Sequence, residues 1–136
     1  INPKIEVKTS YSREILPKKV TLKDVTKQVS SFGSFVHALH TEDYTLIGGS
    51  LNDYLVEKHR KILIPLFDEI KEICLKNGAL GCSISGSGPS VFALTKGIDT
   101  ADRINESVSK LYEKSDIDFS TYVSKISEKG VRILSS

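Results

Sequence analysis

The residue pattern predicts an α+β fold: a ferredoxin-like sandwich with a mainly antiparallel sheet and helices packed on one face. Three observations carry that expectation. Lys4-Ile5-Glu6-Val7-Lys8 alternates polar and apolar residues at period two, the pattern of a half-buried strand. Two longer stretches repeat apolar residues at three and four, which is helical spacing. Between residues 81–85 and 91–94, two short runs that read as strands, lies a turn made almost wholly of glycine and serine.

Taken in order, the opening strand is followed by a short segment ending at Pro17. Thr21, with Asp24 three residues on, resembles a capping box, and Leu22, Val25, Val29, Phe32, Val36 and Leu39 then mark one amphipathic helix. Gly33 lies inside it and costs about 1 kcal/mol relative to alanine, so either another backbone packs close at that point, the preferred reading, or the helix is merely weaker. Residues 41–50 read as a shorter helix loosened by Gly48-Gly49. His59, Ile62, Leu63, Leu66, Phe67, Ile70, Ile73 and Cys74 restore the helical period, but Pro65 removes an N–H and clashes with the preceding turn. A break near Ile64 follows, and Asn77-Gly78 closes the second half. After the two strands around the glycine turn, Asp99 or Thr100 is expected to cap a helix carrying Ala101, Ile104, Val108 and Leu111. Residues 119–126 and 131–134 supply the last strands.

With 136 residues, 39% of them hydrophobic, the chain has material for one core. A net charge of +2, with both signs spread along the chain, leaves no footprint for nucleic acid or an anionic membrane. Lys18, Lys19, Lys23 and Lys27 have no interleaved aromatic residues, so they read as a solvated helix face. Cys74 and Cys82 stand in apolar company without metal-ligand spacing, which predicts buried free thiols and a cytoplasmic setting. His37, His40 and His59 have no further ligand at a suitable spacing and are expected as helix-surface or cap-filling histidines, so no metal site is expected. No apolar run reaches the roughly 18 residues of a membrane span. The chain opens with Ile1 and contains no methionine, the look of a piece of a longer protein.

Chemistry is most expected in Ile84-Ser85-Gly86-Ser87-Gly88-Pro89-Ser90. Two glycines one residue apart permit positive φ and let a ligand reach bare backbone, and successive N–H groups in such a turn form an anion-binding nest. Ser85, Ser87 and Ser90 add hydroxyls, and Pro89 stiffens the exit. A phosphate or a developing oxyanion suits this loop; a tight hairpin selected for turn geometry alone is the alternative. No lysine follows Gly88 as the phosphate loop G-x-x-x-x-G-K-[ST] requires, and Val91 stands where the dinucleotide fingerprint needs its third glycine. The nearest carboxylates in sequence are Glu72 and Asp99, so no acidic pair accompanies the loop to hold Mg2+. By itself the loop is half of a phosphate site.

The stretch Gly78-Ala79-Leu80-Gly81-Cys82-Ser83-Ile84-Ser85-Gly86-Ser87-Gly88-Pro89-Ser90-Val91-Phe92-Ala93-Leu94 closely resembles the third conserved motif of the GHMP kinase superfamily, which lies in the C-terminal domain of those enzymes. Within that superfamily, Thr9-Ser10-Tyr11-Ser12-Arg13-Glu14-Ile15-Leu16-Pro17 is similar to the segment T-x-x-x-R-x-x-L-P of the homoserine kinases. His59-Arg60-Lys61-Ile62-Leu63-Ile64-Pro65 resembles the arginine those kinases carry shortly before a proline-interrupted helix. The three segments keep their order and cover the chain nearly end to end.

The resemblance implies ATP- and Mg2+-dependent phosphoryl transfer to the side-chain hydroxyl of homoserine, a step of threonine biosynthesis. It implies that Arg13 and Arg60 clamp the substrate carboxylate with Thr9 as a hydroxyl partner, and that Ser85, Gly86, Ser87, Gly88, Pro89 and Ser90 form the phosphate and substrate loop. Of 19 cationic residues only Arg13, Arg60, Arg103 and Arg132 are arginines, so a planar guanidinium in two of the three segments is in keeping with that role. In such kinases the nucleotide is held mainly by a P-x-x-x-G-L-G-S-S-A-like loop of the N-terminal domain, and no such segment occurs in this sequence. The expectation is therefore that residues 1–136 are a single GHMP kinase C-terminal domain with the N-terminal nucleotide-binding domain absent from this chain. It carries no catalytic residue of its own and is inactive alone, with neither ATP nor Mg2+ bound. Homoserine, ATP and the missing domain are the implied partners; a homodimer is left open, and neither nucleic acid nor membrane is expected. Two other readings stand beside this one: a GHMP kinase for a mevalonate-type or sugar substrate, and a ferredoxin-like regulatory module that binds an amino acid. An RNA-binding sheet would need paired aromatics on a central strand and a basic face, and the sequence has neither.

Overall fold

Residues 1–131 and 133 are described by the structure, a computed structural model. Strands β2 (Gly81–Ile84) and β3 (Val91–Leu94) pair antiparallel, with Gly81 opposite Leu94 and Ile84 opposite Val91. The glycine turn thus closes a hairpin, as its composition demands. Strand β1 (Asn2–Pro3) pairs antiparallel with β4 (Phe119–Ser120). Ile1 ties the two pairs together: its N–H group donates to the Val91 carbonyl at 3.1 Å, and the Val91 N–H donates to the Ile1 carbonyl at 2.9 Å. Six α-helices complete the α+β architecture among the described residues.

The strand expected at residues 4–8 is not formed. The Lys4 N–H donates to the Asp118 carbonyl at 2.6 Å, and beyond it the chain leaves the ladder. Ile5 and Val7 are half-buried and border a shallow concavity with Tyr11 and Leu63, so the alternation reflects partial burial without strand pairing. The segment before Pro17 contains a helix the sequence did not announce, α1 (Thr9–Glu14).

Helix α2 (Leu22–Thr41) starts where predicted: the Asp24 N–H donates to Thr21 Oγ1 at 3.1 Å. Only half of a capping box forms, because the Asp24 carboxylate faces Lys58 at 3.7 Å. The Gly33 expectation fails, since a Cβ built there meets nothing within 4 Å. The close approach belongs to Gly48 in α3 (Tyr44–Ser50), whose Cβ would stand 2.9 Å from the Leu80 carbonyl oxygen. Helix α2 packs on α3, and α3 on β2. The predicted apolar stripe of α2 does not face this contact: Leu22, Val29, Phe32, Val36 and Leu39 are exposed, and Ala38 is the buried residue of the helix. Lys18, Lys19, Lys23, Lys27, His37 and His40 are exposed, as expected of a solvated face.

The proline-interrupted run divides as its chemistry requires. Helix α4 (Glu57–Arg60) passes through a 3-10 turn at Lys61–Leu63, the chain straightens at Ile64, and α5 (Phe67–Lys76) begins afresh after Leu66, which holds φ 61°. Asn77 and Gly78, at φ 95°, end it. Helix α6 (Ile98–Tyr112) starts earlier than predicted: Gly97 is the N-cap, and neither Asp99 nor Thr100 caps it. Of residues 119–126 only Phe119–Ser120 is strand, while Tyr122, Val123 and Ile126 are exposed without pairing. In the strand expected at residues 131–134, Val131 and Ile133 are unpaired, and Arg132 and Leu134 lie outside the described residues.

The core lies between the hairpin, α5 and α6. Phe67, Ile70 and Cys74 from α5 meet Ile104, Val108 and Tyr112 from α6 over Cys82 and Val91 of the strands. Each large apolar side chain buried there contributes about 1.5–3 kcal/mol before entropy is counted. Tyr112 stacks on Phe119 with ring centroids 4.8 Å apart, and burial pushes its phenol up to about 12.

Cys74 and Cys82 are free and buried, as the sequence predicted. The hydrogen bond between the two thiols, ahead of burial, holds Cys82 far above its ordinary range and lowers Cys74, so for Cys74 it is burial alone that keeps a reagent from the sulfur. Site-resolved labelling of the folded protein with a maleimide at pH 7.5 should therefore modify neither residue until denaturant unfolds it. Stoichiometric labelling of either in the native state, at the rate of an exposed thiol, would contradict this burial.

Candidate functional site

The site is assembled from three pieces of chain around one guanidinium. In the hairpin loop, the Ser85 N–H donates to the Ser90 carbonyl at 2.8 Å and the Gly88 N–H to the Ser85 carbonyl at 3.1 Å, which closes the turn on itself. Gly86 and Gly88 hold φ 63° and 81°, the left-handed region expected of them. The Gly86 and Ser87 N–H groups donate to no protein acceptor among the described residues. They are the nest donors that such a turn leaves over. Gly88 is also fitted against the core, because a Cβ there would lie 3.1 Å from Ile64 Cδ1. The Gly88–Pro89 bond is cis, and Ser90 Oγ donates to Asn2 Oδ1 at 3.3 Å, which fastens the loop's exit to β1.

Arg60, at the end of α4, joins this loop to α1. Its Nε donates to the Ser12 carbonyl and its Nη1 to the Gly86 carbonyl, each at 3.0 Å. A guanidinium carries five N–H bonds in a planar fork, so hydrogens remain for a further acceptor. Asp53 sets the start of α4. Its Oδ1 accepts from the Leu55 and Val56 N–H groups, both at 2.8 Å, and its Oδ2 from Glu57 at 3.2 Å. Ser12 is the buried residue of α1 and donates through Oγ to the Ser87 carbonyl at 3.2 Å, a second tie between α1 and the loop.

Of the residues predicted from sequence, Arg60 and the loop of Ser85, Gly86, Ser87, Gly88, Pro89 and Ser90 are therefore brought into contact. Thr9 and Arg13 stand four residues apart on α1, hence on one face of it, and both are exposed. Neither touches Arg60 or the loop through a hydrogen bond among the described residues. Their helix is tied to the loop by Ser12 alone among those residues. Sequence reasoning missed Ser12 and Asp53. Asp53 had a signal, an aspartate just ahead of a helical run, whereas nothing local distinguishes Ser12 from the serine two residues before it.

The donors gathered here are N–H groups, hydroxyls and guanidinium, a set that suits an anion. No group of three His, Cys, Asp or Glu side chains stands together among the described residues, and the carboxylates Asp53 and Glu57 are already engaged. The side chains present fit a carboxylate or phosphate, and they do not fit a divalent cation. A concavity of about 630 Å3 lies elsewhere, bordered by Ile1, Phe92, Ile98, Ala101 and Tyr122, and none of the predicted site residues lines it.

Comparison with known proteins places these features in a family. Residues 35–114 match the family described as GHMP kinases C terminal. A homoserine kinase of Chlorobium phaeovibrioides is 44% identical over an alignment of 136 positions, which covers 98% of this chain and 42% of that protein. One from Chlorobaculum tepidum is 41% identical over 138 residues, covering 100% of this chain and 43% of its own length. A crystal structure of homoserine kinase from Cytophaga hutchinsonii superposes with a TM-score of 0.88 at 43% identity, covering 91% of this chain and 39% of that one. This chain thus spans well under half the length of the curated relatives it matches. The matched residues run from α2 through the Pro-interrupted helix and the glycine hairpin to the end of α6, and on that ground the chain belongs to the C-terminal domain family of the GHMP kinases.

Proposed function

We propose that this chain is the substrate-binding C-terminal half of a homoserine kinase, an ATP-dependent enzyme that phosphorylates the side-chain hydroxyl of homoserine in threonine biosynthesis. The observation that carries this is Arg60: its guanidinium bridges the Ser12 and Gly86 carbonyls and keeps N–H groups beside a loop of unused backbone donors. In this reading Arg13 and Arg60 hold the α-carboxylate, Thr9 supplies a hydroxyl beside them, and the Gly86 and Ser87 N–H groups meet the anionic charge near the reacting oxygen. The transferred phosphoryl group comes from ATP with Mg2+, which the remainder of the protein holds. The whole of residues 1–136 acts as one domain in this scheme, and a cytoplasmic setting goes with two free buried cysteines.

The test compares the complete protein with the isolated chain. With ATP and Mg2+, the complete protein should phosphorylate homoserine well above mevalonate or galactose, and the 136-residue chain should phosphorylate nothing. Preference for a mevalonate-type or sugar substrate would move the assignment to another GHMP kinase. Binding of homoserine to the isolated chain with the affinity of the complete protein would mark a regulatory amino-acid module instead.

A further inference from the structure

Helix α4 has little of its own to hold it in place. Its four residues are too few to sustain a helix in water, and none of them is buried. Yet it carries Arg60, whose guanidinium must stand at a fixed distance from the glycine hairpin to reach the Gly86 carbonyl. What fixes α4 is therefore polar. Asp53 holds its start through backbone N–H groups, and Lys58 reaches Asp24 of α2 at 3.7 Å. Glu57 ties it to the core elements. Its Oε1 accepts from Lys71 Nζ of α5, and its Oε2 accepts from Ser83 Oγ of β2 at 2.7 Å. The Glu57 and Lys71 side chains are 12% and 23% exposed, which makes this the ion pair most withdrawn from water among the described residues. Taking two charges out of water consumes much of what their attraction returns, so such a pair adds little net stability, but it is satisfied only in one arrangement of its partners.

The arrangement it fixes is that of α4 against the hairpin. Ser83 stands two residues ahead of Ser85, whose N–H and carbonyl close the loop, and Glu57 stands one helical turn ahead of Arg60. Two bonds thus run between the same two pieces of chain, Glu57 to Ser83 and Arg60 to Gly86. A single bond would let α4 swing about it. Two bonds a turn apart set both the distance and the direction from which the guanidinium meets the loop. Because Nε and Nη1 of Arg60 are spent on the Ser12 and Gly86 carbonyls, the N–H groups left for a ligand point where α4 aims them.

We infer that Glu57 is a positioning residue for Arg60: with Lys71 and Ser83 it holds α4 so that the remaining guanidinium N–H groups face the substrate carboxylate. This rests on the reading of Arg60 as a carboxylate ligand given above. In the complete protein, Glu57→Ala should lower kcat/KM for homoserine roughly tenfold or more, leave KM for ATP unchanged, and have little effect on the corresponding amino alcohol, which lacks the carboxylate. Because Glu57 acts through Arg60, adding Glu57→Ala to Arg60→Lys should cost less than about twofold further, whereas independent losses would multiply. Glu57→Gln keeps an acceptor for Ser83 and should recover part of the loss. Glu57→Ala strands the Lys71 ammonium, so the same measurements are made on Glu57→Ala/Lys71→Met, which leaves no charge unpaired and should melt higher than Glu57→Ala while keeping its homoserine loss. An unchanged kcat/KM for homoserine in these variants, equal losses on homoserine and the amino alcohol, or losses that multiply in the Arg60→Lys background would each overturn the inference while the carboxylate reading stood. If Arg60→Lys itself lost nothing on homoserine, that reading would fall, and the inference with it.

Discussion

Arg13→Lys in the complete enzyme is expected to lower kcat/KM for homoserine by about 1.5–3 kcal/mol, the worth of a charge-assisted hydrogen bond, or roughly 10- to 150-fold. The Arg13 side chain is exposed and makes no hydrogen bond among the described residues, so its replacement should leave the thermal midpoint unchanged. Lysine keeps the charge and loses the fork, which is what separates a bidentate carboxylate clamp from a general field. Arg60→Lys should cost as much in kcat/KM and somewhat more in stability, because two of the guanidinium hydrogens already hold the Ser12 and Gly86 carbonyls. The apparent affinity for ATP should barely move in either variant. Steady-state kinetics with homoserine and with the corresponding amino alcohol, which lacks the carboxylate, decides the matter. Wild type and variants should converge on the amino alcohol. Equal losses for ATP and homoserine, or a persisting difference on the analogue, would remove Arg13 and Arg60 from the carboxylate.

The loop glycines are expected to separate activity from stability. At Gly86, φ 63° costs an L-residue about 1–2 kcal/mol, but a side chain there meets nothing within 4 Å, so the fold should tolerate Gly86→Val with a loss of a few degrees in Tm. The same valine stands in the chain next to the unused N–H groups of Gly86 and Ser87, and kcat for homoserine phosphorylation should fall by roughly tenfold to a hundredfold if an anion donor is blocked. At Gly88 the added Cβ lies 3.1 Å from Ile64 Cδ1, and Ile64 is buried in the core. Gly88→Val should therefore lower both Tm and kcat. If both variants kept kcat/KM within about twofold of wild type, the loop would be a turn and nothing more, since that is well under 1 kcal/mol.

Elements whose cause is local were legible in the sequence. Thr21 caps α2 because its hydroxyl reaches an amide three residues on, Pro65 breaks the helix because it lacks an N–H, and Asn77-Gly78 ends α5 because glycine takes positive φ. The hairpin strands follow for the same reason, as does the glycine-rich loop between them. Arg60 and the loop could be named as candidates, but that they touch could not, because Arg60 reaches 48 residues back to Ser12 and 26 residues on to Gly86. Contacts of that separation depend on how α4, the 3-10 turn and α5 are stacked on the hairpin, and no periodicity encodes it. The same limit explains the reversals. Apolar spacing says that a helix has a face to cover without saying what covers it, so α2 points its stripe outward while α3 takes the polar side. Glycine in a helix marks a close approach only where the packing brings a neighbour, and here that is Gly48 against Leu80, with Gly33 left in the open. Residues 4–8 alternate like a strand, yet a strand needs a partner's N–H and C=O groups alongside, and only the packed domain decides which backbone lies there.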